Sequence, residues 1–197
     1  VGRADDSRFL AIVCQNHANA QILRRLPELE LPDCLLVAGS LFQTVWNIQS
    51  GKAPGADILD YDIFYFDAMD LSWEAEDAAI GKASRAFGDL GVEVQVRNQA
   101  RVHLWYESKF GIPCQPLVSS RDGINHFLNQ SSCFGIRPGQ NQPDVYAPFG
   151  FHDLYAMVVR PNMRRDLPLA YAAKAARWKR AWPSLTVLPW EIEAGAE

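Results

Sequence analysis

A chain of 197 residues is long enough for one good-sized core, or for a core domain with an appendage. Its 48% hydrophobic and 21% charged content excludes disorder as the dominant state. A formal net charge of −4 excludes broad, non-specific coating of DNA while leaving room for a local basic groove. Cys14, Cys34, Cys114 and Cys133 include no C-x-x-C pair, which fits reduced thiols better than a disulfide framework or a zinc site. No apolar run approaches the ~18 residues of a membrane span. The opening "VGRADD" lacks the charged-then-apolar pattern of a secretory leader. The expectation is a cytoplasmic location with no membrane partner.

Apolar positions at Phe9, Ile12, Val13, Ile22, Leu23 and Leu26 predict a helix over 6–26, capped by Asp6 or Ser7 and ended by "ELELPD". "CLLVA" (34–38) reads as a short buried strand that runs into Gly39-Ser40, and "LFQTVWNIQ" as two or three helical turns. "SGKAPGAD" is loop by composition. The next strand, "ILDYDIFYF" (58–66), is apolar almost throughout yet holds two acids one residue apart. Positions i and i+2 share a face, so Asp60 and Asp62 stand side by side and repel unless something cationic lies between them. Phe64 and Phe66 share that face, which argues against a merely solvated surface.

Ser72 then caps a helix that carries Glu74 and Glu76 near its positive end, with Ala75, Ala79, Ile80, Ala83 and Phe87 packing on a sheet. "GVEVQVRNQ" (91–99) alternates cleanly, Val92, Val94 and Val96 on one side and Glu93, Gln95 and Arg97 on the other. Beyond it the chain turns Pro/Gly-rich, with short helices near 121–129 and 152–159 and a longer one over 168–182, stopped by Pro183. The order helix, strand, helix, strand, helix, strand indicates a core over residues 1–110, with residues 111–197 as a C-terminal region packed on it.

Three features carry chemistry. A strand ends in Gly39-Ser40 at a helix start, where exposed amides bind phosphate and glycine admits close approach. Asp60 and Asp62 offer the hard oxygen ligands that Mg²⁺ or Mn²⁺ takes, often together with substrate phosphates. Glu93 sits on the polar side of a third strand. In "RNQARVH" (97–103), Arg101 is placed to contact phosphate and Asn98 or Gln99 to orient nucleotide or acceptor; equally, the block can cap a strand and pack the sheet edge. The last helix interleaves Lys174, Arg177, Lys179 and Arg180 with Trp178 and Trp182. It offers a cationic surface to phosphate or RNA, or buries its Trp side chains and solvates its charges. No G-x-S-x-G, Cys/His or G-x-x-x-x-G-K-[ST] pattern points to hydrolase or P-loop chemistry.

On these residues the sequence resembles the polymerase-beta nucleotidyltransferase superfamily, with its glycine-serine, paired-carboxylate and third-carboxylate motifs. "VAGSLFQTVWN", "DYDIFYFD", "VEVQVRNQARVHLWYESKFG", "APFGFHDLYAMVVRPN" and "KAARWKRAWPSL" resemble the bacterial nucleotidyltransferase-like family more closely, over about residues 8–190. The resemblance implies an α+β fold, a small mixed β-sheet flanked by helices. It also implies Mg²⁺- or Mn²⁺-dependent transfer of a nucleoside monophosphate from an NTP to an unidentified acceptor, whether small molecule, RNA or protein. By matching position, Gly39 and Ser40 hold the triphosphate, Asp60 and Asp62 coordinate the metals, and Glu93 is the third acid. The gap between Ser40 and Asp60 is longer than the superfamily pattern, and the third acid is Glu where Asp is commoner. Those departures motivate the alternative of an inactive nucleotide-binding or protein-interaction module.

Overall fold

The computed structural model describes residues 3–139 and 142–190. Helices α1 (Arg3–Val13) and α2 (His17–Arg25) lead into strand β1 (Leu35–Val37). Helix α3 (Gly39–Gln49) follows at once, then β2 (Tyr61–Tyr65), α4 (Trp73–Phe87) and β3 (Val94–Asn98). The rest comprises α5 (Val102–Phe110), α6 (Ser120–Asn125), β4 (Gly135–Arg137), β5 (Asp144–Tyr146), α7 (His152–Tyr155), β6 (Val158–Val159), α8 (Pro168–Ala181) and β7 (Thr186–Val187). The fold is α+β, with a mixed five-stranded sheet ordered β3-β2-β1-β4-β5. Only β2 and β3 run parallel; the other pairings are antiparallel. β6 and β7 form a separate parallel pair.

Alternation along the strands divides the molecule. Leu36, Ile63, Val96 and Ile136 face the main core with Phe9, Val45, Trp46, Ala83 and Phe87. Leu35, Val37 and Phe64 face the other way, against Ile124, Phe127 and Cys133. The acid pair therefore lies on the thinner side of the sheet. β4 and β5, from beyond residue 110, extend the same sheet from β1, so the second half of the chain supplies two of its five strands.

The single helix expected over 6–26 is two helices. Asn16 adopts an extended backbone (ψ 111°) and its Oδ1 accepts from the Ala18 amide at 3.0 Å, capping α2 and breaking the run. Its Nδ2 donates to Thr44 Oγ1 and to the Tyr61 hydroxyl, both at 3.1 Å, tying this junction to α3 and β2. Asn16 is 3% exposed, so Asn16→Ala strands buried partners and removes a cap. Urea unfolding is expected to show a loss of about 2–3 kcal/mol.

The other predicted helices form with shifted ends. Ser72 Oγ accepts from the Ala75 amide at 3.2 Å, capping α4 as its sequence suggests. On α8, Trp178 is buried edge-on against Phe42 and Trp46, and Trp182 Nε1 donates to Asn47 Oδ1 at 2.9 Å. These two indoles anchor α8 on α3 and are not available to stack on RNA.

Candidate active site

The site forms where β1 turns into α3. Ala38, at the junction, has φ 53° and ψ −116°, a backbone conformation costly for a residue with a Cβ. The turn leads directly into the first turn of α3. The amides of Leu41 and Phe42 already donate to the Ala38 carbonyl. Those of Gly39 and Ser40 are left as the open donors of the helix end. A Cβ at Gly39 would stand 3.9 Å from Asp60 Oδ1 and 3.1 Å from Gln43 Nε2, so glycine keeps the helix end clear beside the first acid. Ser40 is fully buried. Its carbonyl accepts from Asn19 Nδ2 and Thr44 Oγ1, and its hydroxyl has no partner among the described residues.

Asp60 stands just before β2 and Asp62 lies within it, both partly buried. Asp62 is level with Val37 of β1 and Gln95 of β3. Gln95 Nε2 donates to Asp60 Oδ2 at 3.4 Å. Burial and the neighbouring Asp60 push the Asp62 carboxyl up to about 6, against the pull of Lys174 and Arg97. Lys174 reaches this point from α8 and makes no hydrogen bond or close ion pair among the described residues. Burial lowers its ammonium below the usual lysine range, Asp62 and Asp60 oppose that, and Arg177 adds to it. Two acids thus sit within electrostatic reach of two cations.

The remaining expected residues are placed as follows. The parallel register aligns Tyr61 with Val94, so Glu93 falls one step before β3, exposed, with its carbonyl accepting from the Tyr61 amide at 2.9 Å. It shares the face of Gln95 and, one step back in the same register, comes level with Asp60, while Gln95 is level with Asp62 and makes the side-chain contact to the pair. Among the described residues no three His, Cys, Asp or Glu side chains gather into a metal cluster. Arg101, expected at phosphate, instead binds buried Glu76 through Nη1 and the Leu71 carbonyl through Nε at 3.0 Å. Asn98 caps the turn after β3, its Oδ1 accepting from Ala100 at 3.1 Å and from Asp67 at 3.0 Å. The block after β3 is therefore architectural, and Arg97 is the arginine facing the acids. The alternation of β3 carried that signal; the spacing of Lys174 from them, more than a hundred residues on, carried none.

The family described as "Nucleotidyltransferase" matches residues 24–187, a span that includes Gly39, both acids and Lys174. The chain belongs to this nucleotidyltransferase family. A solved structure described as an NMR structure that reveals a CCA-adding enzyme head domain is 24% identical to it. The superposition has a TM-score of 0.76 and covers 93% of this chain and 96% of that one, which establishes the nucleotidyltransferase head-domain fold. No curated protein matches the chain. Among the described residues, no helix of this family member is long and apolar enough to cross a membrane.

The raised Asp62 pKa has a definite sign. An acid whose folded pKa lies above its ordinary 3.8 favours folding while protonated, and that advantage disappears as pH rises through about 6. The stability of the metal-free protein, relative to Asp62→Asn, should therefore fall across this window and level off above it. Urea unfolding of both proteins at several pH values measures the difference.

Proposed function

We propose that the protein transfers a nucleoside monophosphate from an NTP to an acceptor at the site formed by Gly39, Ser40, Asp60 and Asp62. The observation that carries this reading is how close the α3 N-terminus comes to Asp60: a Cβ placed on Gly39 would stand 3.9 Å from Asp60 Oδ1. A phosphate donor and an anion-repelling acid pair are compatible there only with a cation between them. The side chains fit Mg²⁺ or Mn²⁺ of the substrate-borne kind, since Mg²⁺ commonly takes one or two carboxylates and completes its shell with phosphate oxygens and water. When bound, the cation neutralises charge developing on the triphosphate and favours departure of pyrophosphate.

The chain's own residues perform the rest. The Gly39 and Ser40 amides hold phosphate oxygens at the positive end of α3. Asp60 and Asp62 fix the cation-bearing triphosphate, and the high Asp62 pKa means that cation and proton compete for it. Gln95 orients Asp60. Lys174 and Arg97 supply the positive charge near the pair, in place of Arg101, which is held by Glu76. Glu93 stands at the rim as a third acid of lesser weight.

The position of Gln95 beside Asp62, where a further acid would complete a three-carboxylate set, favours a second reading: a module that binds nucleotide without transferring it. NTP labelled at the α-phosphate, incubated with Mg²⁺ and cell extract, separates the two. Metal-dependent label on an acceptor supports transfer. Binding of NTP with no label transferred under any metal supports the binding module.

A further inference from the structure

A cleft of about 180 Å³ opens on the same sheet face as the acid pair, and the proposed chemistry uses none of its lining but Arg97. Its floor is Phe64, two residues beyond Asp62 on β2, and Arg97, level with Phe64 on β3. Its walls include Val102, Trp105 and Tyr106 of α5, Phe127, whose ring lies 5.5 Å from that of Phe64, and Arg165, which lies over the Tyr106 ring. At the strand rise of ~3.3 Å per residue, the floor begins only about 7 Å from Asp62. A second, open recess of about 420 Å³ shares Arg97 and Trp105 with the cleft and adds Trp73 and Lys109. The two lie next to each other across Arg97 and Trp105, an aromatic slot with a cationic neighbour in Lys109.

The location assigns a role. β1 and β3 flank β2, so the α3 N-terminus lies on the β1 side of the acids and the cleft on the β3 side. Displacement at phosphorus needs the attacking group and the departing pyrophosphate on opposite sides of the reacting atom. A triphosphate anchored at Gly39 and Ser40 leaves the β3 side to the attacking group.

We propose that this cleft is the acceptor site, and that it takes a small molecule with a flat aromatic body and an acidic substituent. The proposal rests on the transferase reading and names the substrate class of that site. Aromatic and aliphatic walls favour a ring over a sugar or a charged peptide. The volume is below the ~300–1,000 Å³ of ordinary ligand pockets, which suits a single ring system. Arg97, whose side chain has only the preceding Val96 carbonyl as hydrogen-bond partner among the described residues, and exposed Lys109 read the acidic group at the lip.

Saturation-transfer NMR on the chain without metal or NTP provides the test, with 4-hydroxyphenylacetate and its neutral counterpart tyrosol as probes. Both are expected to receive saturation, the acid binding about three- to fivefold more tightly. Val102→Phe, which fills the cleft, and Trp105→Ala, which removes a wall, should each weaken both probes roughly tenfold or more. Lys109→Ala should shrink the preference for the acid and leave tyrosol unaffected. No saturation of either probe, or saturation unchanged in both cleft variants, overturns the proposal. Mn²⁺–NTP binding measured alongside confirms that each variant is folded. If ring binding is absent while Mn²⁺–NTP binding persists, the acceptor site fails and the transferase reading stands. If the wild-type chain binds rings but not Mn²⁺–NTP, the transferase reading fails and the acceptor role falls with it.

Discussion

Asp62→Asn should nearly abolish nucleotidyl transfer and, in the same protein, increase the stability of the metal-free fold. The two effects share one cause. Asp62 is a partly buried carboxylate beside a second carboxylate, with its pKa raised to about 6. At neutral pH its ionisation costs folding free energy, and Lys174 and Arg97 return only part of it. Removing the charge should stabilise the empty protein by roughly 1–3 kcal/mol at pH 8, read from urea unfolding. In the proposed reaction the same change removes one of two oxygen anchors for a cation-bearing triphosphate. Loss of one electrostatic contact of this kind costs on the order of 10²–10³-fold in rate. Glu93→Gln, at the exposed rim, should cost about tenfold, the low end of the range for outer partners of such sites. A destabilised Asp62→Asn protein, or a Glu93→Gln effect as large as that of Asp62→Asn, would contradict this assignment.

The second large effect lies away from the acids. Glu76 on α4 and Arg101 after β3 form a buried ion pair, with side chains 7% and 10% exposed. Glu76 Oε1 also accepts from the Asn98 amide at 2.9 Å, and Arg101 lies over the Trp73 ring at 5.5 Å. This pair locks α4 to the end of β3 and fixes the start of α5. Glu76→Ala leaves a buried guanidinium and a backbone amide without their acceptor, and should cost about 3–5 kcal/mol. The double replacement Glu76→Met with Arg101→Met removes both charges and should be less damaging than the single one. Denaturant unfolding of the three variants decides. A single-variant loss under about 1 kcal/mol would mean the pair is solvated and structurally minor.

Much of the fold was legible because local chemistry and tertiary position agreed. The Ser72 cap, the alternation of β3 and the apolar run around Asp60 and Asp62 each produced the predicted element, with ends shifted by a few residues. β4 and β5 were not legible, being three residues each within Pro/Gly-rich sequence, too short to display a period. The break at Asn16 was hidden because an apolar helical pattern continues on both sides of it. Its capping role depends on where its amide finds partners. At the site, the acid pair and Gly39 were visible as a strand and a helix start. The partnership of Arg101 was misleading, since an arginine near a proposed phosphate site reads the same whether or not a buried Glu76 claims it. Lys174 was visible only as one cation among several on α8; its approach to Asp62 is a product of how Trp178 and Trp182 seat that helix.

The central claim is that Asp60 and Asp62 together hold a divalent cation with a nucleoside triphosphate. Electron paramagnetic resonance of Mn²⁺ titrated into the protein with a non-hydrolysable NTP measures this directly. The expected result is bound Mn²⁺ that requires the nucleotide and is lost in Asp60→Asn and in Asp62→Asn, while both variants remain folded. Mn²⁺ that stays free, or binds equally well after either substitution, would contradict it.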